Sequence, residues 1–229
     1  MEDVLRYLKR TDLTNYWKTG QVKNLLDFLE SAQFAGRRGV VKELVKRLRS
    51  AGIDACLTCS AGLFFKGVIN HTFGDFDILV NVEDFETLKE VMSEFGAKFK
   101  PTCQKPEFKS EYYQQAEIQT PNGEKIEFDL IGDFWVATFD TQYHYVLNNS
   151  DIEWVDVGPE FKVPVLAIEV QLLLYGMMVG WQMPRWLKYQ LCLKFLEENG
   201  VRHRDVLEKA LENSPALPEF IRKDVNALL

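Results

Sequence analysis

The stretch Cys59-Ser60-Ala61-Gly62-Leu63-Phe64-Phe65-Lys66-Gly67-Val68-Ile69-Asn70-His71-Thr72-Phe73-Gly74-Asp75-Phe76-Asp77-Ile78-Leu79-Val80 decides the fold. Its small residues Ser60, Ala61 and Gly62 end one apolar strand and open a helix, and a turn through His71, Thr72 and Gly74 follows. Asp75 and Asp77 then begin a second apolar strand, alternating with Phe76 and Ile78. Side chains at i and i+2 of a strand share a face, about 6.5 Å apart. Both carboxylates therefore point the same way, from the mouth of a strand whose next residues, Ile78, Leu79 and Val80, read as buried. Two like charges held that close repel. A divalent cation removes the conflict, and carboxylate oxygens suit Mg²⁺. An isolated Asp-x-Asp is also an ordinary turn signature. The weight here comes from its company: a small-residue strand-to-helix turn upstream and a third strand carboxylate downstream.

Composition narrows the alternatives. The chain has 229 residues, 46% of them hydrophobic, enough for one large domain or two small ones and too apolar for a disordered chain. A formal net charge of −7 argues against a general electrostatic grip on nucleic acid, so long nucleic acid is not an expected partner. No N-terminal apolar run reads as a signal peptide, and no stretch is long and apolar enough to read as a membrane span. A cytoplasmic location is the expectation. Of the four cysteines, Cys56 and Cys59 form a C-x-x-C within an apolar run. With no second pair at zinc-finger spacing they read, like Cys103 and Cys192, as free thiols.

Outward from the central stretch, the periodicity changes twice. Upstream, Val4-Leu5-Tyr7-Leu8 and Leu25-Leu26-Phe28-Leu29 begin helical patterns, and Val40-Val41-Leu44-Val45-Leu48 is a 3.6-period stripe capped by Gly52. Ile53–Thr58 reads as a buried strand and Ser60–Asn70 as a short helix. Phe76–Val82 reads as a strand, and Glu83–Phe95 as a helix ended by Gly96. Downstream the pattern turns to strands at 98–100, 112–118 and 125–131, with Pro121-Asn122-Gly123 as a hairpin turn. In the last of these, Ile126, Phe128 and Leu130 face one way and Glu127, Asp129 and Ile131 the other. More β structure is expected from Tyr143 to Val165, turning at Gly158-Pro159, before helices at 166–179, 184–199, 204–211 and 218–228. The expected class is α+β: a mixed sheet flanked by helices (1–163), with a helical C-terminal region (164–229).

The combination of Cys59-Ser60-Ala61, a short helix, Gly74-Asp75-Phe76-Asp77-Ile78-Leu79-Val80 and Ile126-Glu127-Phe128-Asp129-Leu130 resembles the nucleotidyltransferase superfamily of the polymerase-β type. It is most similar to the small bacterial members, which include antibiotic nucleotidyltransferases and related toxin-like proteins. The resemblance covers about residues 53–131. It implies that Ser60 holds nucleotide phosphate, that Asp75 and Asp77 are the metal-binding pair, and that Asp129 is the third carboxylate. Asp129 would bind metal and accept the proton of the attacking hydroxyl. Glu127 shares its face and is the alternative third acid. Lys66 and His71 are further candidates for phosphate contact, and Arg185 and Lys188, near the start of a C-terminal helix, for contact with nucleotide or acceptor. Trp181 and Trp186 read as core first and as pocket lining second. Two features depart from the family: Cys59 stands where it prefers Gly, and His71-Thr72 where it carries a basic residue before the acids.

The implied activity is Mg²⁺-dependent transfer of a nucleotide from an NTP to a hydroxyl on a small molecule, a protein or an RNA. Two metals about 3.5–4 Å apart can stabilise the attacking and leaving oxygens of such an in-line displacement, which accounts for the number of acids. The alternative is a non-catalytic protein that keeps the fold for binding or regulation, favoured by the two departures.

Overall fold

Ala55-Cys56-Leu57-Thr58 carries no charged side chain, and all four residues are buried as strand β1. The structure is a computed structural model describing residues 32–69, 75–101, 111–120, 123–137, 142–158, 161–178, 183–213 and 217–229. The helical patterns expected at 4–8 and 25–29, together with His71, Cys103, Pro121, Asn122 and Trp181, lie outside the described residues. Around β1 a seven-stranded sheet is built in the order β3-β4-β5-β2-β1-β9-β8. Its members are β2 (Asp75–Val80), β3 (Lys98–Phe99), β4 (Tyr113–Gln119), β5 (Lys125–Ile131), β8 (Ile152–Asp156) and β9 (Lys162–Leu166). The sheet is mixed: β2 runs parallel to β5 and β1 to β9, while the other neighbours are antiparallel. A separate hairpin pairs β6 (Phe134–Ala137) with β7 (Gln142–Tyr145).

The helices follow their apolar stripes. Helix α1 (Ala32–Ser50) buries Val41, Leu44, Val45 and Leu48, and they share one small apolar space with Phe76 and Ile78 of β2. It stops where the stripe predicts. Gly52 takes φ +72°, its N–H bonds Arg49 O at 3.0 Å, and Ile53 N–H bonds Leu48 O at 3.0 Å. This paired closure satisfies two orphan carbonyls and sets buried Ile53 against buried Leu48. Helix α3 (Phe85–Glu94) buries Phe85, Leu88, Val91 and Met92 and packs on β5. Phe76 and Phe128 stack on the same side of the sheet, ring centres 5.5 Å apart. That face is core.

The opposite face carries α2 (Cys59–Phe65), packed on β1 and β2. It is shorter than the expected 60–70, ending at Phe65 with Lys66 as its cap. The C-terminal helices are α4 (Ile168–Met178), α5 (Met183–Asn199), α6 (Arg204–Asn213) and α7 (Glu219–Leu228). Every residue of α4 is buried, because α5, α6 and the β6 hairpin strand all pack against it. No helix among the described residues is long and apolar enough to cross a membrane. Trp186 packs between Tyr189 and Phe220, and the Tyr189 hydroxyl donates to Asp224 at 2.8 Å, tying α5 to α7. The division expected at 163/164 falls inside β9, which lies between β1 and β8, so the run of helices begins only at Ile168.

Candidate functional site

Strand register assembles the acids. The parallel pairing of β2 with β5 sets Asp75 beside Glu127 and Asp77 beside Asp129. The flanking antiparallel pairs set Thr58 opposite Asp77 and Gln115 opposite Asp129. Partners on adjacent strands project to the same face, about 4.8 Å apart per step. Thr58, Asp77, Asp129 and Gln115 therefore form one row across four strands, and Asp75 stands one step toward the strand mouth on the same face. Asp77 is 9% and Asp129 5% exposed. Like charges on neighbouring strands repel, and a cation between them removes the conflict.

The partners separate the two candidate third acids. Gln115 Nε2 donates to Asp129 Oδ1 at 2.9 Å, which holds that carboxylate in place from the neighbouring strand. Glu127 instead pairs with Lys100 and is 55% exposed. Asp129, not Glu127, is the acid directed beside Asp77.

At the end of β1 the chain turns into α2 through Cys59, whose φ is +52°. A side chain in this left-handed region costs about 1–2 kcal/mol, which is the physical reason a glycine suits the position. The Cys59 thiol is held well above its usual range, first by burial and then by Asp77, with Asp75 adding and Lys188 opposing. The next residue, Ser60, receives a hydrogen bond from Lys188 Nζ at 2.6 Å. Lys188 comes from α5, and its ammonium also lies 5.4 Å from the centre of the Tyr175 ring of α4. The positive charge missing before the acids in sequence thus arrives from the C-terminal helices. Because α2 has only seven residues, its dipole is a minor attraction for an anion beside a full ammonium charge.

Gly62 makes this arrangement possible. A Cβ there would sit 2.9 Å from Leu57 O and 3.0 Å from Gln171 Nε2. Gly62→Ala is expected to cost about 1–3 kcal/mol by overpacking α2 against β1 and α4, read as a lower urea midpoint at unchanged slope.

The remaining candidates are placed elsewhere. Lys66 caps the opposite end of α2 from Ser60 and forms an ion pair with Glu153 of β8, so it does not join Ser60 and the acids. The placement of His71 lies outside the described residues. The cation that does meet Ser60 is Lys188, which the sequence offered, with Arg185, as a candidate contact for nucleotide or acceptor and not as a partner of Ser60. Only the tertiary contact, across 128 positions of sequence, singles it out.

No family model matches the sequence, and no curated protein does. Among solved structures, TM1012 of Thermotoga maritima, a protein provisionally assigned as a nucleotidyltransferase, superposes with a TM-score of 0.51 at 22% identity, over 71% of this chain and 94% of its own. ANT(2'')-Ia, in complex with adenylyl-2''-tobramycin, gives 0.49 at 12% identity over 82% and 96% of the two chains. The lincosamide antibiotic adenylyltransferase LnuA, lincomycin-bound, gives 0.42 at 13% identity over 66% and 92%. At such identities the likeness is one of fold, and the first superposition carries it. The chain has an α+β fold like that of this nucleotidyltransferase-like structure.

Proposed function

We propose that the protein transfers a nucleotide from an NTP to a hydroxyl acceptor in an Mg²⁺-dependent reaction. The observation that carries this reading is the β2–β5 register, which sets Asp77 beside Asp129 below the turn bearing Ser60, whose hydroxyl Lys188 of α5 reaches. The donor chemistry suits the ion: Asp75, Asp77 and Asp129 offer aspartate oxygens from one face of the sheet, two of the residues buried, although those oxygens do not all lie within 4.8 Å of one another as they stand. Bound there, Mg²⁺ would neutralise the charge that spreads over the transferring phosphoryl group. The chain's own residues do the rest. Ser60 and Lys188 receive the phosphates, Lys188 by charge-assisted hydrogen bonds. Asp129, steadied by Gln115, accepts the proton of the incoming hydroxyl. Buried Phe76 and Phe128 keep the two acid-bearing strands in register from behind.

The test is calorimetric titration of the protein with a non-hydrolysable NTP, with and without Mg²⁺. Expected is Mg²⁺-dependent binding below millimolar that is lost in Asp129→Asn. Absence of binding at several millimolar, or binding indifferent to Asp129→Asn and to Mg²⁺, overturns the proposal. Lys188→Met is expected to raise the KM for NTP about 10- to 100-fold, the worth of one hydrogen bond to a charged group. Steady-state kinetics across NTP concentrations measures it. The non-catalytic reading, motivated by a strained Cys59 where glycine fits better, predicts the same binding with no turnover in presence of any acceptor.

A further inference from the structure

We propose a second metal site, for Zn²⁺ or a similar divalent transition ion, formed by Glu153, Glu169 and His203 and separate from the acids of the sheet face. One ligand atom from each of these residues lies within 4.8 Å of the other two. They come from three elements: Glu153 from β8, Glu169 from the first turn of α4, and His203 from the residue before α6. Two carboxylate oxygens and an imidazole nitrogen form a donor set that suits zinc, with water completing the shell.

The surroundings point to a ligand beyond the cluster itself. Glu169 is 2% exposed, and its Oε1 accepts the backbone N–H groups of Arg202 at 2.7 Å and His203 at 3.1 Å. Its second oxygen accepts no hydrogen bond from the described residues. Those two backbone bonds fix the carboxylate from behind, as outer partners of metal ligands do. The imidazole is already turned inward, with His203 Nε2 2.9 Å from Glu153 Oε1. A surface cavity of about 510 Å³, bordered by Lys66, Glu153, Phe195 and Arg202, provides an entry path.

The cation now facing the cluster is the Lys66 ammonium, paired with Glu153. It forms no ion pair with Glu169 among the described residues, so one univalent charge serves two carboxylates. A divalent ion would satisfy both carboxylates, take Nε2 of His203 from Glu153, and release Lys66 toward the cavity.

The test uses the Asp77→Asn/Asp129→Asn double variant, in which the sheet-face acids are neutralised, so that its outcome does not depend on nucleotidyl transfer. Titration with Co²⁺ is followed by visible absorption, and Zn²⁺ affinity is then measured by competition. Expected is one site per chain. His203→Ala or Glu153→Gln should weaken it at least about 100-fold, the second keeping the side-chain shape. Lys66→Met should strengthen it about tenfold, since a unit charge a few ångströms from the ion no longer opposes it. A metal site predicts this gain, whereas a plain ion-pair network predicts only loss of stability. No Co²⁺ absorption, affinity indifferent to both ligand variants, or affinity unchanged by Lys66→Met overturns the proposal.

Discussion

Asp77→Asn is expected to lower nucleotidyl transfer by about a thousandfold or more while making the metal-free protein slightly harder to melt. The first effect follows from removing one charge of the pair that would hold the ion, at a point where electrostatic stabilisation is the largest single contribution. The second follows from charge: Asp77 and Asp129 are register neighbours on β2 and β5, and like charges on neighbouring strands repel. Asparagine keeps the shape and removes the repulsion. Melting curves with and without Mg²⁺ separate the two effects. The parent should gain stability on adding Mg²⁺, the variant should not, and the apo variant should melt at or above the apo parent. Full activity in Asp77→Asn would remove the acids from the reaction. A melting point that falls sharply would show instead that Asp77 is held by structural partners.

Phe128→Ala is expected to cost about 3–5 kcal/mol, a large share of the 5–15 kcal/mol that holds a typical domain together. Phe128 is fully buried in β5, its ring stacked on Phe76 of β2, and the two strands are parallel neighbours at the centre of the sheet. Alanine leaves a cavity directly behind the backbone that carries Asp129. Denaturant unfolding should show a lower midpoint with little change in slope. Phe128→Leu, which refills most of the volume, should lose far less. A loss below about 1 kcal/mol for alanine would mean that the two strands are held by something other than this stack.

Much of this architecture is written in short-range pattern. The stripe Val41-Leu44-Val45-Leu48 and the closure at Gly52 are readable because a helix repeats every 3.6 residues and ends where a left-handed residue is cheap. The shared face of Asp75 and Asp77, and of Glu127 and Asp129, is readable because strands alternate. What alternation leaves open is which members of the two pairs meet. That depends on register, and on Lys100 engaging Glu127 while Gln115 engages Asp129. The Lys188–Ser60 contact was illegible for the same reason: nothing local to either residue encodes a partner on a distant helix. Lys66, a candidate phosphate contact, stands at the far end of α2 from Ser60, where it pairs with Glu153, a partner that nothing local to either residue encodes. Cys59 illustrates a third limit, since a positive φ at a non-glycine residue leaves no trace in composition.

The position of β9 between β1 and β8 bears on how the polypeptide is made. During synthesis, β1 emerges with one side served by β2 and the other bare until Lys162–Leu166 has left the ribosome. Until then the acid-bearing platform carries an open hydrogen-bonding flank, the kind of surface that recruits stray strands. Shortened products ending before Leu166 should therefore clump rather than persist as a miniature domain, and expression of the intact chain should benefit from slow growth and chaperone supply.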